Sequence, residues 1–520
     1  MVSLPAAQPD VDWGTYFARR LTTRLEQITR RLKRQGAPAL RPHLGSVFAL
    51  LEEAHRIPGA ATAALDLIEA LHPWPVRWGQ ADRWLGELKF AVQQLPEPQP
   101  ASRRARALAD LADLYLHTRQ IDLAVATGRA AQAAAQAVSD AHAHAVGSSA
   151  IVGALKASGR HAEAELEQLH AEQELEQLAL AAAPAASAAA GAILSLEKFD
   201  LLRRQGKTEA AIRAAGEHIN RIKSLPGRDL QLLGTLHESR GVLFWSQGRY
   251  ARAIEDLDLA NACFKAGGNE ISQASVDANR GLIYFSLGSY LQAEMALRRA
   301  IKLSQDCNYR SNLMRQIGNL GLVYWARGRL DEARLYVQQA LDLAVQAGDV
   351  REQLLESGNL ATLQLYQGEF APARPAVEAA AAAFRQAANL EVLGGALVDL
   401  AICLHGLGDL PAAWEAAREA RQIAGDIQLE GLQVIAMRCL AHVGAVPDPA
   451  ALLQQAEAMA HRLGRRLDEV GCRLALCRYA APEQAAQVWQ QAGAQLQEMG
   501  AEPWLQGRTP ADPPLLPLFV

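Results

Sequence analysis

The sequence predicts an all-α protein, a right-handed α-solenoid in which helical hairpins stack in a row. The first observation is a fixed period, because similar stretches of sequence begin at positions 241, 281, 321, 361 and 401, and such repeats are typical of solenoids. The second is composition: apolar residues make up 50% of the 520 residues and aromatic residues only 6%, which favours packed helices over sheets. The third is the lack of a linker that would divide so long a chain into conventional domains.

Each repeat combines a glycine that ends one helix with an alanine on the next. Glycine can adopt the positive φ of a helix end, and alanine lets two packed helices approach closely. The glycines are Gly248, Gly288, Gly328, Gly368 and Gly408. The alanines that follow them are Ala253, Ala293, Ala333, Ala373 and Ala413. Each repeat is therefore predicted to form a pair of antiparallel helices.

Residues 1–100 lack the repeat and are predicted to form a helical N-terminal capping domain. Helices are expected at 10–35, 40–56, 59–72 and 79–95. Three tryptophans, Trp74, Trp78 and Trp84, crowd around two prolines in this domain. They either close the open end of the core or form a binding site.

Residues 101–428 are predicted to be the solenoid proper, with about eight repeats. Residues 429–500 are expected to form degenerate C-terminal hairpins that cap it, because an uncovered last repeat would expose its apolar face. Helices are expected in this cap at 429–443, 449–463, 467–479 and 482–498.

The C-terminal tail, residues 501–520, is rich in proline and is predicted to be extended. It ends in five apolar residues, Leu515, Leu516, Leu518, Phe519 and Val520, with one proline among them. Two interpretations stay open. The tail is either a flexible end, or it docks onto this protein's own surface or onto a partner.

Charge and cysteine content limit the class of partner and the compartment. The net charge of −4 is too small to attract nucleic acid or an anionic membrane. Six cysteines without a CxxC pair indicate a reducing compartment. With no leader sequence and no apolar stretch of membrane-spanning length, the protein is expected to be cytoplasmic, without a nucleic acid or membrane partner.

Three short motifs were considered for chemistry, and none predicts an enzyme, a metal site or a cofactor. The Gly-Lys-Thr of residues 205–210 lacks the leading glycine of a phosphate-binding loop, since Leu201 stands there, and a hairpin turn is predicted. His142 and His144 are two residues apart and point to different faces of a helix, so they are expected on the surface. Cys472 and Cys477 are expected to be buried as small apolar residues.

The arrangement of small, aromatic, glycine and alanine residues in each repeat resembles the tetratricopeptide repeat. The period near forty resembles the long-repeat variety of maltose-regulator-like activators, quorum-sensing peptide receptors, kinesin light chains and LGN-type scaffolds. The resemblance covers about 320 residues strongly and implies a helical solenoid. It is specific for fold and poor for function, because the same solenoid serves scaffolds, adaptors and sensors.

One stripe of the first helices is predicted to line the concave surface. Asparagine recurs on it at Asn279, Asn319 and Asn359, and Asp399 follows at the next step. An amide both donates and accepts, which suits the backbone of an extended peptide. The resemblance implies that these three asparagines hold a bound peptide. Alternatively, their amides bond to one another or to the neighbouring repeat's backbone.

The same stripe supplies the remaining candidate residues for partner binding. They are Arg315, Leu282, Leu322 and Tyr366, together with three aromatic residues at its margin, Trp245, Phe285 and Trp325. The marginal rings either wedge between hairpins or form apolar pockets for a ligand. Because Arg315 is the only basic residue at its repeated position, the two-sided basic grip on a C-terminal carboxylate is not expected.

Two functions follow from this pattern. The first is a non-enzymatic scaffold or adaptor that binds an extended peptide or a helix of a protein partner in the concave groove. The second is a sensor or regulatory subunit, whose peptide or small-molecule ligand changes the curvature of the solenoid and so controls a separate effector subunit. The protein's own C-terminal tail is a further candidate partner.

Overall fold

The structure, a computed structural model, describes residues 12–95, 101–180, 182–307, 310–386 and 389–518. The regular elements in these ranges are helices, apart from one isolated bridge between Thr509 and Asp512. The predicted all-α repeat fold is confirmed. The contacts divide the chain into two compact units, Met1–Gln247 with Glu255–Ser272, and Gly248–Ile254 with Gln273–Val520. The boundary lies inside the region that the sequence predicts as one solenoid.

The first unit begins with helices that enclose an apolar core. They are α1 (Trp13–Gln35), α2 (Leu44–Ala54), α3 (Ala61–Leu71), the one-turn α4 (Trp74–Arg77) and α5 (Ala81–Gln94). Trp78 and Trp84 are buried in this core, and Trp74 packs against it half-buried. The indole nitrogen of Trp84 donates to His72 Nδ1 at 3.1 Å. The tryptophans therefore contribute mainly to the core.

Helical hairpins follow in the first unit. They are built from α6 (Ala101–His117), α7 (Ile121–Ala137), α8 (Ala141–Ala157), α9 (His161–Ala179), α10 (Pro184–Arg204), α11 (Thr208–Lys223) and α12 (Leu230–Ser246). The Gly-Lys-Thr motif forms the turn between α10 and α11, where Gly206 has a φ of 73°. The boundary between the units falls within α13 (Tyr250–Ala266) and α14 (Glu270–Ser286).

One prediction for the first unit is wrong. His142 is exposed as expected, but His144 is 0% exposed, and its Nε2 lies 2.9 Å from Glu174 Oε2. The reason is that α8 packs against α6, α7, α9 and α10. Because the small residues around His144 leave room between these helices, a histidine paired with a carboxylate fits there.

The second unit continues the hairpins to the C-terminus. Its further helices are α15 (Tyr290–Asp306), α16 (Arg310–Ala326), α17 (Leu330–Ala347), α18 (Val350–Tyr366), α19 (Phe370–Gln386), α20 (Leu390–Gly406), α21 (Leu410–Asp426), α22 (Glu430–His442), α23 (Pro449–Arg462), α24 (Arg466–Leu476) and α25 (Pro482–Met499). Cys472 and Cys477 are buried among the last of them. No helix within the described ranges combines the length and the apolar character needed to cross a membrane.

Close packing within a hairpin depends on glycine in the first helix. A Cβ on Gly321 would lie 2.7 Å from Val337 Cγ2, on the second helix of the same hairpin. This distance is shorter than a carbon–carbon contact allows. Gly328 then ends α16 with a φ of 77°, which a residue with a side chain rarely adopts. The period of small residues thus reflects contact between paired helices.

The end of the second unit packs back onto its early hairpins. Leu496 and Met499 of α25 share one apolar cluster with Tyr290 and Leu297 of α15. Two hydrogen bonds add to this contact: Arg327 Nε donates to the carbonyl of Gly500 at 3.1 Å, and Trp504 Nε1 donates to that of Ala326 at 3.0 Å. The curvature of these hairpins is therefore linked to the position of the C-terminal helices.

Candidate functional site

The asparagine stripe lies on the first helices of three hairpins in the second unit. Asn279, Asn319 and Asn359 belong to α14, α16 and α18, and all three side chains are half-buried. Asn359 Nδ2 donates to Glu356 Oε2 of its own helix at 3.1 Å. Within the described residues, Asn319 and Asn359 form no side-chain hydrogen bond to the backbone of a neighbouring repeat.

The other polar and aliphatic candidates lie on the same helices. Leu282 and Leu322 are half-buried. Arg315 is exposed, and its Nη2 donates to Asn312 Oδ1 at 2.8 Å. These residues form a mixed surface with apolar side chains beside hydrogen-bonding groups.

The aromatic candidates separate into two environments. Trp325 is 4% exposed and packs into the apolar cluster, where its ring meets Tyr366 edge to face at 5.3 Å. Phe285 is half-buried, with its ring 5.5 Å from that of Tyr290. Trp245 belongs to α12 of the first unit. Trp325 and Phe285 thus each contact a tyrosine ring of the second unit.

Carboxyl groups are embedded in the same stripe. Thr362 Oγ1 donates to Asp399 Oδ2 at 2.8 Å, and burial raises the pKa of Asp399 to about 7. Burial also raises the pKa of Glu356 to about 7, although Asn359 donates a hydrogen bond to it. A Cβ on Gly318 would collide with Glu356, so Gly318 provides the space for that carboxyl. Both groups therefore change charge near neutral pH.

The segment that follows α25 contacts side chains of the second unit through its main chain. Arg438 Nη2 donates to the carbonyl of Leu516 at 3.0 Å, and Nη1 donates to that of Pro517 at 3.3 Å. The backbone N–H of Leu518 donates to the Tyr366 hydroxyl at 3.1 Å. The second unit thus binds a peptide segment by its main chain, and this segment belongs to the same protein.

Apolar side chains of the segment enter the interior of the second unit. Leu516 is 0% exposed and joins the cluster of Leu320, Trp325 and Leu363. Leu518 is 8% exposed and joins the neighbouring cluster around Leu397. Of the two interpretations of the tail, the structure supports docking onto the protein itself for residues 513–518. Phe519 and Val520 lie outside the described residues.

Arg438 is a functional residue that the sequence analysis missed. Its side chain is 3% exposed and forms an ion pair with Asp468, which also accepts from Arg465 Nε at 2.6 Å. Arg438 lies on α22, in the region treated as a degenerate cap. The signal that could have identified it is the period itself, since Arg438 stands two steps of forty after Gly358 of the stripe.

Comparison with known protein families matches one part of the chain. Residues 272–346 match the tetratricopeptide repeat family. No curated protein matches the sequence.

Several solved structures are similar to the chain at low identity. A Rap protein complexed with competence and sporulation factor is 14% identical, covers 68% of this chain and 99% of its own, and has a TM-score of 0.44. Aspartyl phosphate phosphatase F from Bacillus subtilis is 14% identical; the match covers 70% of this chain and 94% of that one, with a TM-score of 0.42. The apo form of the quorum sensor NprR from B. thuringiensis is 13% identical; the match covers 64% of this chain and 95% of that one, with a TM-score of 0.45. With TM-scores below 0.5, these matches add nothing to what the coordinates show.

Proposed function

We propose that this chain, which carries tetratricopeptide repeats at residues 272–346, is a protein-interaction scaffold. Its second unit binds an extended peptide or a helix of a protein partner, without catalysing a reaction and without a cofactor. We place it in the cytoplasm, with no role for nucleic acid or membrane. The observation that carries the proposal is the extended segment 513–518, which the groove holds by backbone hydrogen bonds from Arg438 and to Tyr366.

The groove offers the chemistry that an extended peptide needs. Such a peptide presents alternating N–H and C=O groups that must be satisfied when they leave water. Arg438 supplies donors, the Tyr366 hydroxyl accepts, and Asn319 and Asn359 can do both. Half-buried leucines such as Leu322 lie between these polar groups. The proposed site therefore continues along the asparagine stripe from the part that the C-terminal segment already fills.

A second candidate is a sensor whose ligand changes the curvature of the second unit. The observation that favours it is the contact between the C-terminal residues and the early hairpins, through Arg327 with Gly500 and Trp504 with Ala326. A ligand that spreads the hairpins apart would break these hydrogen bonds and expose the C-terminal helices to an effector subunit.

The test of the scaffold proposal is a pull-down from native lysate with two triple variants. The first changes Asn279, Asn319 and Asn359 to Ala. The control removes three exposed amides from second helices, at Gln292, Gln305 and Gln339. We expect the control to recover the same proteins as the wild type, and the asparagine variant to lose at least one of them. Equal recovery by all three baits would show that the stripe does not bind partners.

A further inference from the structure

We propose that the interior of the second unit recognises protein segments that are rich in proline and leucine. Residues 513–518 of this chain are the internal competitor of such partners. This inference rests on the proposed function and names the chemistry of the partner. It is based on the contacts that hold residues 513–518 in the second unit.

The main chain of the segment is recognised without help from its side chains. Arg438 donates to two consecutive carbonyls, those of Leu516 and Pro517, and Tyr366 accepts from the N–H of Leu518. A second cation, Arg478, donates from Nη2 to the carbonyl of Pro513 at 3.4 Å. Any extended segment presents such carbonyl groups, so a segment from another protein can make the same contacts.

Arg438 is suited to a neutral carbonyl because its charge is already compensated. Asp468 pairs with it, and both side chains are buried. The Arg438 guanidinium can therefore donate to neutral carbonyls of a bound segment without leaving its own charge unpaired.

Side-chain selectivity comes from the apolar residues of the segment. Pro513, Pro514, Leu516, Pro517 and Leu518 are buried, and Leu515 is half-buried. Pro517 lacks an N–H group, so it leaves no donor unsatisfied in the interior.

The residues that connect the segment to the rest of the fold are exposed, which allows the segment to leave the interior. Gln506 to Thr509, Ala511 and Asp512 are exposed, and the ion pair of Arg508 with Asp512 is exposed as well. Release of the segment would uncover the apolar cluster around Leu320 and Trp325. An apolar surface of this kind does not stay open to water. The group that replaces the segment must therefore bring equivalent apolar side chains.

A tethered competitor lowers the affinity for any free segment. Short flexible linkers give effective concentrations of about 1 mM. A free peptide that binds the empty site in the micromolar range is then weakened by about tenfold to a thousandfold in the intact chain. The strength of this competition is measurable with the chain's own C-terminal sequence.

The experiment measures binding of a fluorescein-labelled peptide, TPADPPLLPLFV (residues 509–520), to full-length protein by fluorescence anisotropy. Leu516→Asp places a charge on the 0% exposed side chain and should release the tethered segment. Ala511→Asp, at an exposed position of the same tail, is the matched control. We expect Leu516→Asp to bind the peptide at least about tenfold more tightly than the wild type and the control.

Each other outcome overturns the inference. Equal affinity in all three proteins means that the tethered segment does not compete, and no binding to folded Leu516→Asp means that the interior does not accept such segments. Circular dichroism checks the fold, and Leu518→Asp is the milder second variant. If both variants lose their helix content, the segment is part of the fold rather than a bound ligand.

Two further results keep this inference separate from the proposed function. A wild-type dimer by light scattering that becomes a monomer in Leu516→Asp would assign the segment to a second copy of the chain, and would overturn competition within one chain. Loss of partners from the asparagine variant in the lysate, without any difference between the tail variants, would support the scaffold and refute the competitor.

Discussion

Replacing Arg438 by Met is expected to destabilise the second unit while preserving the length and most of the volume of the side chain. Arg438 is 3% exposed and pairs with the buried Asp468. Removing one partner of a buried ion pair costs about 3–5 kcal/mol, because the other charge stays buried. Arg465 still donates to Asp468 at 2.6 Å and is partly exposed. We therefore expect a loss near the lower limit, about 3 kcal/mol.

The loss of hydrogen bonds to the C-terminal segment adds little to this value. The carbonyls of Leu516 and Pro517 lose their donors, and an unsatisfied buried acceptor costs about 1–3 kcal/mol. The segment can avoid that cost by leaving the interior and binding water. We therefore expect Arg438→Met to speed hydrogen exchange in residues 513–518, in addition to lowering the free energy of unfolding.

The assay is urea unfolding followed by circular dichroism, with hydrogen exchange measured by mass spectrometry at the C-terminus. Arg508→Met is the control, because it removes an exposed ion pair of the same tail, worth about 0–1 kcal/mol. The reasoning would be refuted if Arg438→Met and Arg508→Met unfolded at the same urea concentration and exchanged residues 513–518 at the same rate.

Two further predictions concern the hairpins and the embedded carboxyl groups. Gly321→Val should lower the melting temperature, since a Cβ there lies 2.7 Å from Val337 Cγ2 and overpacking costs about 1–3 kcal/mol. A Cβ on Gly358 meets nothing within 4 Å. Gly358→Ala should therefore raise the melting temperature, because alanine stabilises a helix interior by about 0.5–1 kcal/mol relative to glycine. Burial raises the pKa of Glu356 and that of Asp399 to about 7. Between about pH 4 and pH 7, the folded state therefore binds more protons than the unfolded state. Stability from this source is therefore present at low pH and is lost as the pH rises through 7. Urea unfolding at pH 5 and pH 8 measures this effect. The free energy of unfolding should differ less between the two pH values in the Glu356→Gln, Asp399→Asn double variant than in the wild type. An unchanged dependence would contradict the assignment.

Much of the fold follows from local pattern. The helix expected at 429–443 lies at Glu430–His442, and the one expected at 482–498 lies at Pro482–Met499. These boundaries depend on caps and on the spacing of small and apolar residues, which act within a few turns of helix. The asparagine stripe could be found for the same reason, because a period of forty places one helix face in register with the next.

Long-range contacts were not accessible in this way. Burial of His144 depends on four helices packed around α8, and no sequence pattern near the residue predicts it. The use of Arg438 depends on residues 516 and 517 coming to its side chain. These contacts join residues that are 78 and 79 positions apart in the chain, a separation that no local pattern spans.

Local chemistry alone thus settled which residues form helices, which helices pair and which face each pair presents. Those choices depend on dihedral preferences and on contacts between chain neighbours. Whether the C-terminal segment would be exposed or buried was decided by tertiary structure. Burying Leu516 releases water from a surface assembled from several hairpins, so the free energy that holds the tail in place is a property of the packed hairpins rather than of any single repeat.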